Sequence, residues 1–187
     1  MRKLCTLALG VSASAGLIAT SLPASAAPAH AAGMSPNSSV ITPSIIRSNE
    51  QTAFNFFVDK GLTKKQAAGI VGNLDQESGV DPNAKQSGGP GRGIAQWSVG
   101  GRWDTTSGDN EVHYTNVVLG VSRYNLTGQL KFIWHELTDI GYGYSSLKQT
   151  TTINGATTVF ESKFEICGDC NTAAREQYAH DAYDRYA

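Results

Sequence analysis

Between residues 85 and 98 the chain reads KQSGGPGRGIAQWS, with four glycines and one proline. Glycine and proline are the two worst residues for a helix interior, so this run excludes a helix. More Gly, Ser, Asp and Asn continue to Asn110. Residues 83 to about 112 therefore read as a loop-rich lobe with one small hairpin, in which Ile94-Ala95-Gln96-Trp97 is the expected short strand.

Helical patterns flank this lobe. Ser48 and Gln51 form a capping-box pattern ahead of Ala53, Phe54, Phe57 and Val58, and Gly61 supplies a stop. Thr63-Lys64-Lys65-Gln66 is a second capping box, followed by Ala67, Ile70, Val71 and Leu74 at helical spacing and by Gly79 and Asp81-Pro82 as terminators. After the lobe, helices are expected over Thr127–Leu137, Ala156–Ile166 and Thr172–Tyr186. The last shows Ala174, Tyr178, Ala182 and Tyr186 in one register. Tyr142 and Tyr144, in GYGYSS, are expected in a loop, either lining a cleft or on the open surface. The fold class this predicts is α+β, mainly helical, with a small β lobe inserted after the second helix.

The N-terminus has a different character. Met1-Arg2-Lys3 is basic, Leu4 to Thr20 is apolar and small, and Ala24-Ser25-Ala26 is a small-x-small cleavage pattern. Residues 1–26 are expected to be a secretory signal peptide, with a second possible cut after Ala31. Residues 27–47, rich in Ala, Pro, Ser and Asn, are expected as a disordered lead-in. Residues 48–187 then form one domain with one core, secreted and expected as a monomer. Without Arg2 and Lys3 the balance is 13 basic against 16 acidic residues. That mild negative charge argues against nucleic acid or an anionic surface as a partner, and no membrane association is expected once the signal is removed.

Cys167 and Cys170 stand at Cys-x-x-Cys spacing. In a secreted chain this reads as a disulfide closing a small turn. A redox role needs a βαβ setting, and a zinc site needs two more ligands that His135 and His180 do not supply at fitting spacing. No metal and no cofactor are expected. Asn37-Ser38-Ser39 and Asn125-Leu126-Thr127 match the N-glycosylation pattern and are read as incidental.

Glu77 is the residue that breaks its local pattern. It is seven residues after Ile70 and three after Leu74, so at about 100° per residue it projects from the apolar face or its edge. A carboxyl desolvated there, beside the negative end of a helix, holds its proton to higher pH. Such a group can protonate a leaving oxygen. The alternative is that the helix frays and Glu77 is solvated. By the same geometry Asp75 is expected to face solvent; Glu136, farther along the chain, is expected as a structural partner inside the fold.

The block QESGVDP, followed by a Gly-rich lobe with GIAQW, resembles the lysozyme-like superfamily, and more closely the phage tail lysozyme family. GLTKKQAAGIVGNLDQESGVDPNA is similar to that family's catalytic helix and turn, GRGIAQWS to its Gly-x-x-Gln-Trp strand, and NLTGQLKFIWHEL to its Leu-x-x-Gln-Leu-x-Phe-x-x-x-Glu-Leu helix. TTVFESKFEI and AAREQYAHDAYDRY resemble its closing helices. The resemblance implies a lysozyme-like fold over residues 48–187 and cleavage of the β-1,4 bond between the peptidoglycan amino sugars MurNAc and GlcNAc, by hydrolysis or by the lytic transglycosylase route. The partner is then the peptidoglycan glycan strand, and the location the cell wall. It implies Glu77 as general acid, Gln96 facing it to bind a sugar acetamide, and Ser78 orienting the carboxyl or capping the helix. Trp97 would stack on a sugar or fill the core, and Gly93 would let the backbone approach substrate. A second carboxylate is not evident. Asp104 is the first choice among Asp104, Asp109 and Glu111, the alternative being that all three are solvated loop acids. A non-catalytic glycan-binding module on the same fold is the reading from another class.

Overall fold

The computed structural model describes residues 42–167 and 170–187. The expected signal peptide, its two cleavage sites and Asn37-Ser38-Ser39 lie outside them. Among the described residues no helix is long and apolar enough to cross a membrane.

Helix α1 spans Pro43–Asp59 and α2 spans Lys64–Ser78. A hairpin of β1 (Gly91–Arg92) and β2 (Trp97–Ser98) follows. The rest is helical: α3 (Glu111–His113), α4 (Leu126–His135), α5 (Tyr144–Lys148), α6 (Ile153–Phe160) and α7 (Thr172–Tyr186). Helices α3, α4 and α6 each run on into one wide π turn, at Tyr114–Val118, Glu136–Ile140 and Glu161–Glu165. The mainly helical α+β architecture with a small loop-rich β lobe is the one expected.

Three expectations need correction. The first helix does not start at Ser48. Thr42 caps it, accepting from the Ile45 N–H, and Pro43 fits the first turn because it has no N–H to leave unpaired. Residues 43–47, assigned to the disordered lead-in, are therefore helical. GYGYSS is only partly loop, since Tyr144 opens α5. Ile94-Ala95-Gln96 is not strand: the two strands pair Gly91 with Ser98 and Arg92 with Trp97, and residues 93–96 form the turn between them.

Helix α2 is the centre of the core. Its capping box forms as expected, with Thr63 and Gln66 satisfying each other's backbone. Ala67, Ala68, Ile70, Val71 and Leu74 are all fully buried. Gly69 and Gly72 let its neighbours come close. A Cβ on Gly72 would lie 2.5 Å from the backbone of Arg175 and Ala179 on α7, and one on Gly69 would lie 2.7 Å from the Thr157 nitrogen on α6. Any larger side chain would push these helices off α2. The approach at Gly72 is what brings α7, and Arg175 with it, alongside the end of α2.

The buried face of α7 is Arg175, Ala179 and Ala182. The register through Ala174 and Tyr178 is offset from it, and Tyr178 is exposed.

Asp75 does not face solvent. It lies against Glu50 of α1, near Arg185 of α7, and burial followed by the Glu50 charge pushes its carboxyl up to about 8. A carboxyl raised in the folded state keeps its stabilising proton at low pH and loses it as pH climbs through the folded value. This group should therefore erode stability between about pH 4 and pH 8, by up to about 1.4 kcal/mol per pH unit. Asp75→Asn keeps a donor toward Glu50 without titrating. Urea unfolding across that pH range should give a flatter profile for the variant, and an unchanged slope would contradict the placement.

Candidate active site

A cavity of about 400 Å³ opens where the end of α2 meets the hairpin turn and the π turn after α6. Glu77, Gln86, Gln96, Arg102, Glu165 and Cys167 line it, with Ala95, Trp97 and Ser98. Glu77 and Gln96, paired by sequence reading, do meet here.

Local geometry explains how Glu77 arrives. Gly79, at φ 64°, ends α2 in a left-handed turn that stops the helix one residue after Ser78. Ser78 Oγ donates to the Leu74 carbonyl and, at 2.9 Å, to the Ile94 carbonyl, which ties the helix end to the hairpin turn. Ser78 is thus a clamp between two segments of the site. Gly93, at φ 70°, packs its Cα against Gln129: a Cβ there would lie 2.8 Å from the Gln129 side-chain oxygen. Gln129 in turn accepts from the Ile94 N–H and donates to the Pro82 and Arg123 carbonyls. The close approach that Gly93 permits is therefore to the protein's own core. Gln96 sits in the turn at φ 47°, and its side chain reaches the cavity rather than projecting from a strand; Nε2 donates to the Gly93 carbonyl at 2.8 Å.

The surroundings of Glu77 differ from the apolar ones its helical position suggested. Its side chain is 19% exposed and receives a hydrogen bond from Arg175 Nη2 at 2.5 Å. Arg175 is 3% exposed and fully engaged. It also donates to Asn73 Oδ1 and to the Cys170 carbonyl, and lies 3.8 Å from Glu161. The Cys167–Cys170 disulfide forms as expected. Cys167 lines the cavity, and the Cys170 carbonyl accepts from Arg175 Nε. Glu161 lies near both sulfurs, but bonded to each other they are not the thiolates that take a metal.

Trp97 does not offer a face to a sugar. It is 3% exposed, packed beside Trp103 and Phe132, and its Nε1 donates to Glu136 at 3.0 Å. Glu136 is the interior partner expected. It is fully buried, and its second oxygen accepts from Arg102 Nε at 2.6 Å. Burial pushes its carboxyl up to about 8, while Arg102 and the Trp97 N–H favour the ionised form.

Asp104 is not brought to the cavity. It stands on the surface, where it accepts from the Gly100 N–H and the Thr105 hydroxyl, and these bonds hold its carboxyl below the usual range. It is a turn cap, not a partner for Glu77. Asp104 is thus the solvated loop acid of the alternative reading, whereas Asp109 and Glu111 are not solvated. Asp109 is buried and accepts from the Tyr142 hydroxyl, while Glu111 is fully enclosed and pushed up to about 8 by that burial. Neither lines the cavity. Tyr142 stacks under Arg102, and Tyr144 packs edge-on against Trp134. Asn125, in the second glycosylation pattern, caps α4 through its side chain.

The carboxylate that shares the cavity with Glu77 is Glu165, which sequence reading passed over, along with Arg102 and Arg175. Glu165 follows Phe164 in what reads as an ordinary helix end. Only the π turn Glu161–Glu165 swings it inward. Its Oε1 is enclosed and has no hydrogen-bond partner among the described residues. Burial, then the neighbouring Glu77 charge, drives its carboxyl well above the usual range. The site can therefore hold a proton beside a cavity wide enough for a sugar.

The family model described as phage tail lysozyme matches residues 48–186, most of the chain.

Proposed function

The chain belongs to the phage tail lysozyme family, which makes it a lysozyme-like peptidoglycan-cleaving enzyme at the level of class, and from that premise we propose that it is a secreted muramidase in which Glu77 is the general acid. The bond cut is the β-1,4 linkage between MurNAc and GlcNAc. One observation carries this reading: Glu77, at the end of the central helix, faces a sugar-sized cavity across from the hairpin turn that holds Gln96.

In this reading the bridging oxygen of the glycan lies at Glu77. It takes a proton as its bond to C1 lengthens and positive charge grows on the sugar ring. Arg175, already bonded to Glu77, stabilises the carboxylate left behind. Gln96 uses one of its two amide N–H groups on the Gly93 carbonyl, which orients the side chain, and its carbonyl would accept from the N–H of an N-acetyl group. Ser78 fixes the distance between the acid and that turn. The disulfide and the apolar N-terminal run support an extracytoplasmic location.

The position of Asp104 favours a second reading. With no hairpin carboxylate at the cavity to activate water, the sugar's own hydroxyl can close on C1 instead, as in a lytic transglycosylase. Both readings release soluble fragments from purified peptidoglycan. Protein that sediments with the wall while no amino sugar enters solution would overturn both, and would support a binding module.

A further inference from the structure

Resting on that reading of the cavity, we propose that Glu165 is the carboxyl partner of Glu77 and that the two hold one proton between them, available for the bridging oxygen.

The charge inventory around the cavity requires retained protons. Glu77 comes from α2, Glu136 from the π turn after α4, and Glu161 and Glu165 from the π turn after α6. They face two guanidiniums, Arg102 from the lobe and Arg175 from α7. Asp109 adds a further negative charge beside Arg102. Fully ionised, this enclosed group carries more negative than positive charge, a state that burial penalises heavily.

The distribution of hydrogen bonds says where a proton rests. Glu136 has Arg102 and Trp97, Glu77 has Arg175, and Glu161 has Thr172 with Arg175 farther off. Glu165 Oε1 has none of these among the described residues. Arg102, whose Nη2 is also enclosed and without a partner among the described residues, lines the same cavity. Two carboxyls in one enclosure titrate as a pair and release their last proton at higher pH than either would alone.

The step then balances. The pair gives one proton, through Glu77, to the bridging oxygen, and the C1–O electron pair leaves on that oxygen as a hydroxyl. The oxygen of a water bonds to C1. One proton of that water stays on the new hydroxyl and the other returns to the pair. While the proton is away, Arg175 and Arg102 offset the two carboxylates. Glu165 is a positioning residue in this account, because it acts through Glu77.

The test is fragment release from purified peptidoglycan by wild type, Glu165→Gln and Glu77→Gln across about pH 4 to 9. Gln matches neutral Glu in shape. Without the second carboxyl, the enclosure loses the group that has no hydrogen-bond partner of its own and would retain the shared proton. The alkaline limb of the Glu165→Gln profile should move down by about one pH unit or more, so activity near pH 8 falls about tenfold or more. At the acid end it should stay within a few-fold of wild type. Should Glu165→Gln unfold, carboxyl ¹³C titration of the wild type and of Glu77→Gln replaces it. The Glu165 signal must then titrate at lower pH once Glu77 is neutral. An alkaline limb that stays in place, or a Glu165 signal indifferent to residue 77, overturns the pairing. Wild type that releases no fragments overturns the reading of the site itself, which is a separate result.

Discussion

Glu77→Gln should lower fragment release from peptidoglycan by about 10²- to 10⁴-fold, the range expected when a positioned proton donor is lost. Gln has the same shape and still accepts from Arg175, so the helix end should hold. The unfolding free energy should stay within about 1 kcal/mol of wild type, because one charge-assisted bond becomes a neutral one. The combination matters. A large loss of rate with little loss of stability separates a chemical role from a structural one. Equal activity in variant and wild type would remove Glu77 as the acid.

Glu136→Ala should be a costly single change for the fold. It strips Arg102 Nε and Trp97 Nε1 of their acceptor in one step. Removing one member of a buried pair costs about 3–5 kcal/mol, and the 24% exposure of the Arg102 side chain trims that to about 2–4 kcal/mol. In a domain of this size the thermal midpoint should drop by roughly 10 °C. Trp97 fluorescence should shift as its indole N–H meets water. Activity should fall as well, since Arg102 and Trp97 both line the cavity. Replacing Arg102 and Glu136 together by Met and Leu should cost less than Glu136→Ala, because no charge is then left unpaired. An unchanged midpoint for Glu136→Ala would mean that the pair does not brace the lobe.

Much of the fold was legible because it depends on local chemistry. The Thr63–Gln66 box, the Gly79 stop and the apolar spacing from Ala67 to Leu74 are signals within one segment, and α2 follows them. The last helix begins and ends where its pattern does. The start of α1 was less legible, because Ser48 and Gln51 imitate a cap while Thr42 and Pro43 supply the real one.

The site divides in the same way. Glu77 stood out by breaking a helical pattern. Glu165 and Arg175 did not, because what places them is not local. The π turn that turns Glu165 inward adds one residue to a helical turn, which no periodicity announces. Arg175 is buried because Gly72 lets α7 approach α2, and a charged residue is ordinarily assigned to the outer face of a helix. The same contact replaced the apolar surroundings expected for Glu77 with a guanidinium. The resemblance implied Gly93 as a substrate contact and Trp97 as either a sugar contact or core, and Gln129 and Glu136 claim them for the protein's interior.

The most direct test is mass spectrometry of the soluble products from purified peptidoglycan. Wild type should release muropeptides cut between the amino sugars, with reducing MurNAc ends for hydrolysis or anhydro ends for the lytic route, and Glu77→Gln should release neither. No released muropeptides, or fragments cut only in the peptide stems with the glycan strands intact, would contradict the assignment of this cavity to glycan cleavage.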